Sequence, residues 1–132
     1  MDVKIIYRFC IILGTITYIA YFFLPYTYGY LDSDTGNLLS YSGYGAIFQG
    51  NVVIDYIIFT AWLLCALGMF FFYKIARIAF VFLLVSTTAL VPLFGASVET
   101  AGGTLLLDIT NITDGFILAL AFFSPIRNEF KS

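Results

Sequence analysis

The sequence predicts an all-α integral membrane protein, an antiparallel bundle of four transmembrane helices with both termini in the cytoplasm. Of its 132 residues, 61% are hydrophobic and only 11% are charged, whereas about 25% of the residues in a soluble domain are charged. The apolar residues form four stretches, and the basic residues all lie on one side of them. Because a chain this apolar cannot cover itself with polar surface in water, we expect a single four-span membrane domain over residues 1–132.

The four helices are predicted at residues 5–24, 52–73, 78–94 and 105–126. A helix rises 1.5 Å per residue, so crossing a hydrocarbon core of about 30 Å takes about 20 residues. Two basic residues, Lys4 and Arg8, flank the start of the first stretch, as in a signal peptide, and the stretch ends at Pro25. No small-x-small cleavage site comes after it, so we expect a retained helix.

The fourth helix is expected to draw polar residues into the membrane. The apolar run from Gly115 to Ile126 covers only about 18 Å by itself. Counting back 20 residues from Ile126 gives Leu107, so the segment DITNITDG at 108–115 would enter the bilayer as helix; a half-span is the alternative. The N-glycosylation pattern at 111–113 falls inside this helix, and we interpret it as accidental.

The basic residues predict the orientation of the bundle. They flank the same end of all four stretches: Lys4, Arg8, Lys74, Arg77, Arg127 and Lys131. The positive-inside rule makes that end cytoplasmic, and anionic lipid headgroups would anchor these side chains there. The plan is typical of small proteins of the bacterial inner (plasma) membrane, which is where we expect this one.

The loop at 25–51 is the only sizeable segment expected outside the membrane. Alternating residues around the turn DSDTGN at 32–37 favour a short β-hairpin. That turn departs from the calcium-loop pattern at its glycine and glutamate positions, so an ordinary turn is the default. The loop presents a candidate surface of five tyrosines, either an interfacial aromatic belt or a docking surface for a partner: Tyr26, Tyr28, Tyr30, Tyr41 and Tyr44.

Small residues at helical spacing indicate where helices approach one another closely. Gly14 lies in the first helix, and Ala61, Cys65 and Gly68 recur at three- and four-residue spacing in the second. Small side chains let backbones approach in lipid. We expect packing within the monomer, with contacts in an oligomer as the alternative.

Three acidic residues fall within the predicted helices at different depths. Asp55 and Asp108 each lie 18 residues from the cytoplasmic end of their helix, about 27 Å away and near the outer headgroups. Helix capping and solvation explain acids at such N-terminal ends. Asp114 lies about 18 Å from the cytoplasmic end, with no basic residue at its depth, so its carboxyl group must be neutralised, hydrated or hydrogen-bonded.

Polar residues at a similar depth on all four helices suggest partners for Asp114. We predict that they form an intramembrane layer facing the interior of the bundle: Asp114, Asn111, Tyr21, Thr60 and Thr88. If its role is structural, this layer would hold the helices in register through hydrogen bonds. If its role is functional, it would be a proton or small-solute site open to the outside.

The composition argues against several kinds of chemistry. There is no histidine, the commonest general base and metal ligand, and no nucleophile–base constellation is visible. The two cysteines, Cys10 and Cys65, are far apart within apolar stretches and are expected to be small apolar filler. We therefore expect no enzymatic activity, no metal, no cofactor and no nucleic-acid partner.

Two functional hypotheses follow. The first is a small non-enzymatic membrane protein that acts through protein–protein or helix–helix interaction, as an accessory subunit of a membrane assembly or as an immunity-type protector. Its partners would be the lipid bilayer and another membrane protein or a second copy of itself. The alternative is an oligomeric channel or a proton-coupled small-solute carrier that uses Asp114.

Overall fold

A computed structural model describes residues 2–130 of the chain, and no strand occurs among them. Four of its helices are long and apolar enough to cross a membrane. The all-helical architecture and the four spans agree with the prediction, and they mark the chain as a membrane protein. The bounds of the α-helices are α1 Val3–Phe23, α2 Ser33–Leu39, α3 Val52–Phe70, α4 Lys74–Leu90 and α5 Ala101–Phe123.

Short 3₁₀ helices follow three of the four long helices. They cover Leu24–Tyr30 after α1, Val91–Phe94 after α4 and Pro125–Glu129 after α5. In each of the three a proline occupies one of the first two positions. Proline lacks the backbone N–H that would continue the α-helical ladder, which explains why the pattern changes there.

The fourth of these helices, α5, is long and apolar enough for a full span. Residues 108–115 lie inside α5, which begins at Ala101, four residues before the predicted start. The Thr100 hydroxyl caps this end by accepting a hydrogen bond of 3.1 Å from the Gly103 N–H, as Thr does at helix N-termini. The half-span alternative is therefore not what the structure shows.

The outer loop differs from its prediction, because a short helix stands where we expected a β-hairpin. Asp32 caps α2 by accepting a hydrogen bond from the backbone N–H of Thr35, and Asp34 lies in the first turn, where acidic residues are favoured. Hydrogen bonds from Thr35 hold the pKa of Asp32 below its ordinary value. Capping thus explains the helix at the expected turn, while the alternating tyrosines before it lie in the 3₁₀ helix Leu24–Tyr30.

The two outer loops are joined by backbone hydrogen bonds. The Gly43 N–H donates to the Ala96 carbonyl over 2.7 Å, and the Ala96 N–H donates to the Tyr44 carbonyl over 2.9 Å. Gly95 makes this approach possible: its φ is +79°, and a Cβ there would lie only 2.5 Å from the Tyr44 carbonyl oxygen. These bonds tie the long first loop to the short second one.

Both ends of the described chain lie at the opposite end of the bundle from these loops. Lys4 forms a salt bridge of 2.9 Å with Glu129. Phe72, in the turn between α3 and α4, stacks on the buried Tyr7 with 5.6 Å between ring centroids. The main core cluster runs between the helices from this end: Tyr7, Ile11, Trp62, Ala66, Met69, Phe72, Phe80, Ile117, Ala121 and Ile126.

Candidate functional site

Asp114 is buried in the interface between α1 and α5, where only 4% of its surface is exposed. Gly14 makes room for it, since a Cβ there would lie 3.7 Å from Oδ1 of Asp114 and 3.2 Å from Cγ2 of Thr113. Oδ1 itself is buried without a hydrogen-bond partner.

The neighbours of Asp114 in this interface are threonines that the sequence analysis did not single out. The hydroxyl oxygens of Thr17 and Thr110 lie 3.0 Å apart across the two helices, and Thr113 is also buried. Each threonine hydroxyl also contacts a carbonyl three or four residues earlier in its own helix. The spacing of Gly14 and Thr17 on one face of α1 was the available signal.

The structure does not assemble the predicted polar layer around Asp114. Asn111, Thr60 and Thr88 are exposed on the outside of the bundle, and Tyr21 donates its hydrogen bond to Glu99 instead. The reason is helical geometry. Each step of three residues turns a side chain by about 60° around the axis, so a stripe of residues three apart drifts from one face to another. Along α5 it passes from the outside of the bundle at Asn111 to the interior at Asp114.

The outward side of α5 carries a continuous stripe of polar and small residues, which we call the polar face. Its members are four exposed residues at spacings of four, three and four: Thr104, Asp108, Asn111 and Gly115. A Cβ added at Gly115 would meet no atom within 4 Å. Nothing in the described chain packs against this position, in contrast to Gly14.

A cavity of about 590 Å³ opens between the outer ends of α1 and α3 and the two joined loops; we call it the outer cavity. Carboxylates from two segments, Asp55 and Glu99, contribute to its lining, and none of its lining residues is basic. Six aromatic side chains complete much of the wall: Tyr18, Tyr21, Phe22, Tyr26, Tyr28 and Tyr56.

Hydrogen bonds fix the walls of the outer cavity. The Tyr21 hydroxyl donates to Oε1 of Glu99 over 2.6 Å, and the hydroxyl oxygens of Tyr26 and Tyr56 are 2.8 Å apart. Oε2 of Glu99 is buried without a hydrogen-bond partner. The charge of this carboxylate is therefore only partly compensated from within the chain.

The five loop tyrosines do not form one surface. Tyr26 and Tyr28 line the outer cavity, although Tyr26 is also exposed. Tyr30, Tyr41 and Tyr44 are exposed and do not line the cavity, with Tyr30 exposed to 93%. Of the candidate outer acids, Asp55 lines the cavity and Asp108 lies on the polar face. The cavity residues that sequence reasoning missed as a group are Tyr18, Phe22, Tyr56 and Glu99.

The candidate packing residues occupy different environments. A Cβ at Gly68 would lie 2.5 Å from the Cβ of Ala76, so this glycine sets the close approach of α3 and α4. Cys65 packs beside the core cluster, and Ala61 lines a shallow groove on the exposed surface of α3. Gly14 belongs to the interface between α1 and α5 described above.

The basic residues within the described part of the chain lie at the end of the bundle away from the outer cavity, and several have protein partners. Arg77 donates from Nη1 to the Ala121 carbonyl over 3.1 Å, a favourable place for a cation near the end of α5. The guanidinium of Arg8 lies 5.1 Å from the ring centroid of Phe70. Lys74 and Arg127 are exposed, Lys4 pairs with Glu129 as above, and Lys131 lies outside the described residues.

Within residues 2–130, no three His, Cys, Asp or Glu side chains come together in a way that would hold a metal ion. No family model matches the chain, and neither a curated protein nor a solved structure shows significant similarity to it. The fold defines a class, a helical protein with four candidate membrane spans. Its distinguishing features are the polar face, the buried carboxyl group of Asp114 and the outer cavity.

Proposed function

We propose that this protein is a non-enzymatic membrane protein that acts by helix–helix association through the polar face of α5. An accessory subunit of a membrane assembly and an immunity-type protector would both work in this way. By the positive-inside rule, the end that carries the basic residues faces the cytoplasm, in a bacterial inner membrane.

The position of Asn111 is the observation that carries the proposal. This exposed residue lies 10 residues after Ala101 and 12 before Phe123, so it is about 15 Å and about 18 Å from the two ends of α5. An amide side chain at that depth, facing outward, would meet lipid tails that offer it no hydrogen bond. Polar side chains in transmembrane helices face protein or water, and amides hydrogen-bond across helices.

A second copy of the chain is the occupant that this face fits best. An asparagine amide is both donor and acceptor, so two Asn111 side chains can pair across a two-fold axis. Gly115, one turn away, has open space at its Cα and lets a partner backbone approach closely. Asp108, one turn towards the outside, offers acceptors to the donors of Thr104 or Asn111 of the second copy.

Energy transfer between labelled copies in lipid bilayers tests this association. Asn111→Leu should weaken it by about threefold to tenfold, the range expected for interhelical hydrogen bonds in membranes. Thr88→Leu is the matched control, because Thr88 is also exposed and lies 14 residues from the cytoplasmic-side start of α4. Equal association of the wild type and the Asn111→Leu variant would contradict the proposal.

The buried carboxyl group of Asp114 favours a second candidate, a channel or carrier for protons or small solutes. Its Oδ1 has no hydrogen-bond partner, and intramembrane acids often mark ion pathways. The outer cavity, however, is not lined by Asp114. Asp114→Asn keeps the shape of the side chain, so it should abolish any flux measured in vesicles and leave association intact. Unchanged flux would rule out a transport role for this residue.

A further inference from the structure

The outer cavity combines features that the association of helices does not require. It has a volume of about 590 Å³, within the usual range for small-molecule sites. Its wall contains two carboxylates, Asp55 and Glu99, and a series of aromatic rings, with no basic side chain. We propose that the outer cavity binds a small organic ammonium cation.

Aromatic side chains make up much of the cavity wall. Tyr21 and Phe22 of α1, Tyr26 and Tyr28 of the following segment, and Tyr56 of α3 all contribute to the wall. The faces of aromatic rings attract cations, and cages of such rings are a known way to hold quaternary ammonium groups. The bond between the hydroxyls of Tyr26 and Tyr56 joins two parts of the wall, so these rings are held in place before any ligand enters.

Two carboxylates in the cavity wall lack a cationic partner among the described residues. The described basic residues lie at the other end of the bundle, so Asp55 and Glu99 have no cationic partner in the cavity. Glu99 accepts hydrogen bonds on Oε1 from Tyr21 and Ser97, while its Oε2 is unpartnered. A cation between these carboxylates would balance a charge that the protein leaves unbalanced.

An organic cation fits this wall better than a metal ion. Hard metal cations such as Ca²⁺ need six to eight oxygen ligands close around the ion, and no group of three potential metal-ligating acids, cysteines or histidines exists within residues 2–130. Much of the wall is aromatic carbon, which suits the methyl or methylene groups of an alkylammonium ion. The same chemistry is found in a free amine and in the choline headgroup of a lipid.

Calorimetry with choline as the probe tests the proposal on the full chain in phosphatidylglycerol nanodiscs, which carry no ammonium headgroup. Choline should bind, and its neutral isostere 3,3-dimethylbutan-1-ol should bind at least about fivefold more weakly. Trp62 is the only tryptophan, and its ring centroid is 4.4 Å from that of the cavity residue Tyr18, so its fluorescence should report the same titration. Equal binding of choline and the neutral isostere would overturn the proposal.

Variants locate the site. Glu99→Gln and Asp55→Asn should each weaken choline binding on the order of tenfold, because each removes a charge at close range. Asp34→Asn is the matched control: Asp34 is an exposed outer acid that does not line the cavity. Tyr56→Phe keeps the aromatic ring but loses the hydrogen bond to Tyr26, so it should weaken choline binding less than Tyr56→Leu, which removes the ring and should weaken binding about threefold. This ring comparison still decides the question if a charge variant does not fold, and choline binding that is unchanged by Tyr56→Leu would contradict the assignment.

A second lipid composition distinguishes the two sources of the ligand. If the cavity takes lipid headgroups, nanodiscs of phosphatidylcholine should compete with free choline and lower its apparent affinity. If it takes only free cations, the affinity should be the same in both lipids. Both results require choline binding in phosphatidylglycerol, and its absence there would overturn the proposal.

Discussion

The hydroxyl oxygens of Thr17 and Thr110 lie 3.0 Å apart where α1 crosses α5. Both residues are buried: 7% of the surface of Thr17 and 4% of that of Thr110 are exposed. The same interface contains Gly14 and the carboxyl group of Asp114. The residues where these two helices meet are therefore small and polar, and the backbones lie close together. This combination drives helix association when water is absent.

A double-mutant cycle measures this threonine pair. Thr17→Val and Thr110→Val each remove one hydroxyl while keeping a β-branched side chain of similar size. We expect a coupling free energy of about 0.6 kcal/mol, the average for interhelical hydrogen bonds in membranes, from unfolding in mixed micelles. Strict additivity of the two single variants would show that the oxygens are neighbours without an energetic interaction.

Gly14, which is buried between α1 and α5, and Gly115, which is exposed on α5, make a matched pair. At Gly14 an added Cβ would already lie 3.2 Å from Thr113, so Gly14→Leu should overpack the interface and lower the free energy of unfolding by about 1–3 kcal/mol. A Cβ added at Gly115 would meet no atom within 4 Å. Gly115→Leu should therefore leave the free energy of unfolding of the monomer unchanged and weaken association. If Gly115→Leu unfolds the monomer as easily as Gly14→Leu does, the assignment of the two faces is wrong.

Gly95 controls the junction of the outer loops. Its φ is +79°, and an added Cβ would lie 2.5 Å from the Tyr44 carbonyl oxygen. Gly95→Ala should therefore separate the loops, at a cost of about 1–3 kcal/mol. Faster hydrogen exchange of the Gly43 and Ala96 amides, which bond across this junction, is the expected result. Gly50→Ala serves as the control, because Gly50 has open space; equal exchange in the two variants would contradict the account.

The orientation is tested by labelling single cysteines in intact bacterial cells, in a chain whose Cys10 and Cys65 are replaced by Ala. Tyr30→Cys, in the outer loop, should react with a membrane-impermeant maleimide, since the Tyr30 side chain is 93% exposed. Ile75→Cys, beside the exposed Lys74 and itself 79% exposed, should react only after the cells are opened. The reverse pattern would place the basic end outside and contradict the positive-inside assignment.

The four spans were predictable from the sequence, because length and apolar composition are local properties. The full span of α5 followed from counting residues, and DITNITDG lies within it. The partners of Asp114 were not predictable, because depth along a helix does not give direction around its axis. Asn111 and Asp114 have similar depths, yet one faces outward and the other is buried.

The outer loop was harder to predict for a different reason. Alternating tyrosines favour strands, whereas Asp32 favours the start of a helix, and the structure follows the cap. The outer cavity depends on contacts between distant segments, such as the bond from Tyr21 to Glu99. Only the folded chain reveals such a combination.

Disulfide cross-linking in the bilayer tests the central claim, association through the polar face of α5, most directly. In the chain without Cys10 and Cys65, Gly115→Cys is compared with Phe82→Cys on α4, whose side chain is 73% exposed. Each position lies eight residues from the end of its helix that is nearer the basic residues, about 12 Å along the helix axis. The account predicts a covalent dimer on oxidation for Gly115→Cys and little for Phe82→Cys; no dimer at position 115, or equal dimer at both positions, would contradict it.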